Sequence, residues 1–108
     1  MQRMKVSEIP YERADAEKVC GVIDKAVEKI NAAKSVDDVL EARELVNDAL
    51  RDFYTESSLA NARFTLNTKD EIYSAEKDYY DEKMPVVQVS YLKYADAILR
   101  SKFLDELK

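Results

Sequence analysis

Residue types that carry catalysis are sparse in this chain of 108 residues, and histidine does not occur in it. A zinc peptidase site of the H-E-x-x-H type needs two imidazoles one helical turn apart, and a glutamate that takes a proton from the metal-bound water. Ser-His-Asp and Cys-His groups and the Glu-x-x-His pairs of di-iron bundles need imidazole as well. We therefore expect no catalytic residue and no histidine-ligated metal site in this chain.

The remaining candidates for chemistry have simpler structural interpretations. Glu41-Ala42-Arg43-Glu44 places two carboxylates on one helix face, which without imidazole partners indicates a solvated or salt-bridged face. Cys20 is the single cysteine, lies on an apolar stripe and has no activating imidazole, so we expect an inert core residue. With one glycine the chain cannot form a Gly-rich phosphate-binding loop, and we expect no cofactor.

Composition and charge limit the class of protein. Hydrophobic residues make up 46% and charged residues 36% of the chain, a mixture that indicates a folded domain with a charged surface. The net charge of −5 argues against a nucleic-acid partner, which would require a basic face. No secretory signal and no apolar run long enough for a membrane span are visible, so we expect a cytoplasmic protein.

Apolar residues at steps of three and four predict two helices in the first part of the chain. Pro10 suits the first turn of the first helix, and Gly21 inside it either allows close packing or is simply tolerated. Ser35 is expected to cap the second helix, which runs for roughly 30 residues. The two stripes are Ala16, Cys20, Ile23, Val27 and Ile30, then Val36, Val39, Val46, Leu50, Phe53, Ala60 and Phe64.

Thr68-Lys69-Asp70-Glu71 has the pattern of a capping box, in which Thr68 caps a third helix and Glu71 reaches back. We expect this helix to turn Ile72, Ala75 and Tyr79 inward. Its outer face is expected to be acidic, formed by Asp70, Glu71, Glu76, Asp78, Asp81 and Glu82.

Pro85 ends or kinks the third helix. The β-branched residues 86–91 also suit a strand, but a lone strand would have no partner, so we expect a helix from about 86 to 100. Its apolar residues lie on nearly all sides, which indicates either a central position or docking on something outside this chain. The sequence as a whole predicts one all-α domain, residues 1–108, built as an antiparallel bundle of three to four long helices.

Aromatic residues of the last third are candidates for a docking surface, because tyrosine is enriched at interfaces. The alternative is that some of them simply fill the core. The candidate residues are Tyr79, Tyr80, Tyr91, Tyr94 and Phe103.

Four segments, in order along the chain, resemble oligoendopeptidase F-type zinc metallopeptidases of the thimet oligopeptidase-like family. The start of the chain is similar to the pattern K-x-S-E-x-P-Y-E-R-x-D, and a later segment to R-x-T-x-x-T-x-D-E-x-Y. An aromatic pair is followed by Asp-Glu and a proline, and the end is similar to L-x-S-K-F-x-x-E-L. The segments are Lys5–Asp15, Arg63–Tyr73, Asp78–Pro85 and Leu99–Leu107.

The resemblance implies a mostly helical peptidase that hydrolyses oligopeptides in a deep channel, with one zinc held by H-E-x-x-H and a later glutamate. None of those catalytic positions exists here, so the zinc and the oligopeptide substrate would belong to the full-length parent. This chain would be the non-catalytic N-terminal region that walls the channel and restricts substrates to short peptides. Its partner would be the catalytic domain of the same polypeptide, or a second copy when isolated.

A self-contained helical adaptor that binds a partner through its tyrosines and last helix is the alternative. The gene beyond Lys108 separates the two hypotheses, because the first requires an H-E-x-x-H segment downstream.

Overall fold

The computed structural model describes residues 13–107. This part of the chain forms three long helices and a short one, α1 (Ala16–Asn31), α2 (Val36–Leu66), α3 (Glu71–Arg100) and α4 (Leu104–Leu107), and contains no strand. The predicted all-α bundle is confirmed, while the expected first turn at Pro10 lies outside the described residues. No helix in this range is both long and apolar enough to cross a membrane.

The helices run up, down and up. Connections of four residues join α1 to α2 and α2 to α3, and such short links return the chain antiparallel to the preceding helix. Lys29 near the end of α1 accordingly bonds Glu41 near the start of α2, at 2.6 Å. The start of α1 meets α3 at Tyr79, about a third of the way along it. Since α1 has 16 residues and α3 has 30, the first two turns of α3 extend past α1.

The core lies where the three long helices face one another, and most of the predicted stripes enter it. Cys20 and Val27 are half-buried at its edge. The fully buried side chains of greatest volume are Tyr80, Phe53, Ile23, Val39, Val46 and Val87. The expected inward positions of Ile72 and Ala75 are wrong, because both are exposed in the part of α3 that precedes the start of α1.

The caps show how each helix begins. Asp15 accepts hydrogen bonds from the first backbone N–H groups of α1. Ser35 precedes α2 as expected, but its hydroxyl makes no capping bond, and Asp38 instead accepts from the Lys34 N–H at 3.0 Å. The predicted Thr68 cap is wrong, since α3 begins two residues later than expected and the Asp70 carboxylate accepts from Ile72 N at 2.8 Å.

Pro85 does not end α3, so of the two predicted alternatives, an end or a kink, the end is wrong, and one helix spans Glu71–Arg100. Proline removes one helical hydrogen bond, the one that Asp81 O would accept. Pro85 and Asp81 are both exposed, so water can solvate that carbonyl, while Tyr80 and Val87 on either side are fully buried. The helix therefore continues past the proline because its core-facing side is well packed, and residues 86–91, which also suited a strand, are helical.

Gly21 offers a test of the packing in α1. A Cβ atom added at this position would meet nothing within 4 Å, so the glycine is tolerated and is not required for close helix contact. We expect Gly21→Ala to raise the free energy of unfolding by about 1 kcal/mol, because alanine loses less backbone entropy in a helix. Urea denaturation followed by circular dichroism measures this change.

The reverse substitution at an exposed position inside α2, Ala62→Gly, is the control, and we expect it to lower stability by a similar amount. A Gly21→Ala protein that is less stable than the original would show that this position of α1 requires a residue without a side chain.

Candidate docking surface

The structure does not bring the five candidate aromatic residues to one surface. Tyr80 and Tyr94 are buried in the core at 0% and 6% exposure. Tyr79 and Phe103 are half-buried against it, and Tyr91 is exposed at its edge. Tyr80 and Tyr94 are therefore covered within the bundle, and the docking role of the other three stays a prediction.

Tyr79 and Tyr80 bind the backbone at the start of α1. The Tyr79 hydroxyl donates to Ala14 O and accepts from Ala16 N, both at 3.0 Å. The Tyr80 hydroxyl accepts from Ala14 N at 2.9 Å. The first N–H groups of a helix have no partner within it, and here a neighbouring helix supplies one. The two tyrosines thus fix the position of α1 along α3.

Ring contacts surround these hydrogen bonds. The Arg13 guanidinium lies 4.4 Å from the centroid of the Tyr79 ring, a cation–π geometry. Tyr80 meets Tyr79 and Phe53 edge to face, with ring centroids 5.0 and 5.3 Å apart. These contacts join residues before α1 to both α2 and α3.

The second tyrosine pair lies further along α3. The Tyr91 and Tyr94 ring centroids are 5.7 Å apart. Burial raises the pKa of the Tyr94 hydroxyl, nearby Tyr91 raises it further, and Arg43 lowers it. Phe103, between α3 and α4, packs against the core with Lys102 over its ring at 5.3 Å.

Arg63 on α2 and Glu76 on α3 form a buried polar pair beyond the start of α1, close enough for Arg63 to act electrostatically on the Glu76 carboxyl. Both residues are buried, which corrects the expectation that Glu76 belongs to the outer acidic face. Burial raises the pKa of the Glu76 carboxyl, with Asp70 adding to this, while Arg63 and Arg13 lower it. The predicted α2 stripe did not include Arg63; the signal for its burial is its spacing of three residues from buried Ala60, which puts both on one helix face.

Apolar residues also occupy the side of α3 that faces away from the core. We call this set the outer apolar face, and it consists of Val86, Val89, Leu92 and Leu99. At 100° per residue they share one side of the helix, and each is at least half exposed. The C-terminal half of α3 is therefore apolar on two sides, of which the described residues cover one.

The side chains of this chain do not provide the ligands that the zinc implied by the resemblance requires. Within residues 13–107 no group of three or more His, Cys, Asp or Glu side chains could hold a metal ion. Histidine, which H-E-x-x-H requires twice, does not occur anywhere in the sequence. No step of zinc chemistry can be assigned to these residues.

An open groove of about 810 Å³ separates the start of α1 from the middle of α2. Carboxylates, cations and apolar side chains all line it, among them Asp52, Glu56, Lys18 and Val19. It holds neither a cysteine nor a nucleophile paired with a base, so nothing in it indicates catalysis.

Comparisons with known proteins agree with the fold and the resemblance. Residues 6–108 match the family described as the peptidase M3 N-terminal domain. No curated protein matches the chain.

Solved structures of peptidases are similar to nearly the whole chain. A protein assigned as oligoendopeptidase F is 34% identical with a TM-score of 0.88, and the similarity covers 97% of this chain and 19% of that protein's chain. PZ peptidase A with an inhibitor is 32% identical with a TM-score of 0.87, covering 95% and 18%. An assigned oligoendopeptidase F from Bacillus anthracis strain Ames is 32% identical with a TM-score of 0.86, covering 99% and 20%. This chain thus spans about a fifth of the length of these relatives.

We call the hydrogen bonds of the Tyr79 and Tyr80 hydroxyls to the backbone at the start of α1 the tyrosine anchor. Removing one of these hydroxyls tests it. Tyr80→Phe keeps the ring in the core but takes the acceptor from Ala14 N, so we expect a loss of about 1–3 kcal/mol in the free energy of unfolding. Chemical denaturation measures it. Tyr91→Phe, on an exposed ring of the same helix, is the matched control and should change stability little. Equal effects of the two substitutions would contradict the anchor.

The raised pKa of Glu76 predicts a pH dependence. As the pH rises through the ordinary value of 4.5, the carboxyl ionises in the unfolded chain before it does so in the bundle. The unfolded state is then favoured, so the original protein loses stability that Glu76→Gln keeps. We expect the stability of Glu76→Gln relative to the original to be greater at about pH 7 than at about pH 3.5.

Urea denaturation at the two pH values measures this difference, with Glu82→Gln on the exposed side of α3 as the control for loss of a charge. A relative stability of Glu76→Gln that falls between the lower and the higher pH would show that the attraction of Arg63 and Arg13 outweighs burial.

Proposed function

This chain belongs to the family of peptidase M3 N-terminal domains, and from that premise we propose that it is the non-catalytic N-terminal domain of a zinc-dependent oligoendopeptidase. The observation that carries the proposal is the family match over residues 6–108, together with the similarity to solved peptidases over nearly the whole chain. The sequence provides no imidazole for zinc, so the metal and the hydrolysis belong to another region of such a peptidase.

The proposed task of the domain is to wall the peptide-binding channel and restrict substrates to short peptides. Helices of about 30 residues span about 45 Å, long enough to form one side of a deep cavity. A barrier that excludes folded proteins must also be stiff. The tyrosine anchor supports this because it links α1 to α3, and so does the electrostatic attraction of the buried Arg63 on α2 for Glu76 on α3.

The proposed partner is the catalytic domain of the same polypeptide, which would bind the oligopeptide substrate. We propose a cytoplasmic location, supported by the acidic composition and the single free cysteine. When isolated, the chain would self-associate through its outer apolar face, which light scattering over a concentration series measures.

The exposed outer apolar face also suits the second candidate function, a stand-alone helical adaptor. The adaptor would bind its partner as a complete folded unit. It would have no effect on a peptidase into which it is placed.

An exchange experiment tests the proposed function. Residues 6–108 replace the matching segment of the Bacillus anthracis relative, which is 32% identical and similar over 99% of this chain. We expect the exchanged protein to hydrolyse a short fluorogenic peptide and to leave a folded protein substrate intact, because the bundle restores the channel wall.

The unaltered relative is the positive control, and the relative with an unrelated helical bundle of similar length in this place is the negative control. An exchanged protein that is folded but no more active than the negative control would contradict the proposed function and favour the adaptor.

A further inference from the structure

We propose that the outer apolar face of α3 is the surface on which the catalytic region of an M3 peptidase docks, an inference that rests on the proposed function. The face consists of Val86, Val89, Leu92 and Leu99, and it is distinct from the aromatic residues predicted from sequence. Its occupant is the polypeptide that follows an M3 N-terminal domain.

Burial shows that this face has no cover among residues 13–107. Val86 and Val89 are 50% and 55% exposed, and Leu92 and Leu99 are 65% and 67% exposed. Large exposed apolar patches are uncommon on monomeric proteins and mark interaction sites, and these four side chains share one side of the helix. The opposite side of the same half-helix, with Val87, is already packed into the core.

The outer side of α3 changes character at Pro85. Before the proline the same side of the helix carries Asp78, Asp81 and Glu82, all exposed, which suit contact with water. After it the same side carries the four exposed apolar residues, interspersed with the charged Lys93, Asp96 and Arg100. Nothing in the bundle core requires apolar residues there. The change within one continuous helix indicates two surroundings, solvent for the first half and protein for the second.

Charges near the face are arranged so that docking leaves little uncompensated charge. Asp96 lies among the apolar residues on the helix surface, and its carboxylate accepts from Arg100 Nε at 3.0 Å. Burying one unpaired charge is costly, whereas a pair that is already hydrogen-bonded can be covered at lower cost. Lys93 lies on the same side of the helix, and its long side chain can keep the ammonium group in water when the apolar residues are covered.

The length and order of the relatives identify the occupant. The matched region makes up only 18–20% of each of their chains. The family is an N-terminal domain, so in its members the larger part of the polypeptide follows this region. The C-terminal half of α3 and α4 are the last elements of the region, which places the outer apolar face beside the point where that polypeptide leaves. A covalently attached neighbour meets this face at a high effective concentration, unlike a second copy.

Cysteine labelling in the exchanged relative tests the docking. Leu92→Cys reports on the outer apolar face, and Ile72→Cys, 69% exposed at the start of the same helix, is the matched control. Both are made with Cys20→Ser, and mass mapping follows the modification of each site by a thiol reagent. The isolated chain is measured at a dilution where light scattering gives the mass of a monomer.

We expect Leu92→Cys to react at least about tenfold more slowly in the exchanged relative than in the isolated chain, because docking excludes the reagent. Ile72→Cys should react at similar rates in both. Similar rates for Leu92→Cys, or equal protection of both sites, would overturn the docking on this face. Protection of Leu92→Cys in the isolated monomer would show that the chain itself covers the face, and this would overturn the docking as well.

The two proposals fail in different ways. An exchanged relative that hydrolyses peptides while Leu92→Cys stays reactive contradicts the docking surface and leaves the proposed function standing. An exchanged relative that is inactive while Leu92→Cys is protected contradicts the proposed function and supports the docking.

Discussion

Two tyrosine hydroxyls that bind the backbone before and at the start of α1 hold this bundle in register. α1 is about half as long as its neighbours, so its N-terminus lies alongside α3 and not at the end of the bundle. Donors at that position have no helical partner and need acceptors from elsewhere. Tyr79 and Tyr80 provide them, and the position of α1 along α3 follows from these bonds.

The short first helix has a consequence at each end of α3. Before the start of α1, α2 is the helix among the described residues that packs on α3, so Ile72 is exposed while Arg63 and Glu76 are buried. Further along α3, α1 and α2 pack against the same side of the helix. The opposite side, with Leu92 and Leu99, is exposed. The first end supports a rigid wall, and the second offers a surface to the rest of a peptidase, as we propose.

Helical periodicity was sufficient to predict the bundle, and four ordered motifs were sufficient to identify the family. The errors occurred where two local signals competed. Thr68 and Asp70 are both residue types that favour the N-cap position, and in the structure Asp70 occupies it. Pro85 disfavours a helix by its own chemistry, but packing of the inner face on either side outweighs the loss of one hydrogen bond.

The sequence by itself determined that the described part of the chain forms helices and that the 108 residues supply no imidazole for zinc, because helix periodicity and residue type are local properties. Only the tertiary structure decided which side of each helix is covered. Glu76 is as charged as Glu82, yet one is buried and the other exposed. Tyr80 and Tyr91 have the same side chain, yet Tyr80 is buried and binds the backbone before α1 whereas Tyr91 is exposed to solvent. Burial depends on where the neighbouring helices begin and end, and no segment of sequence contains that information alone.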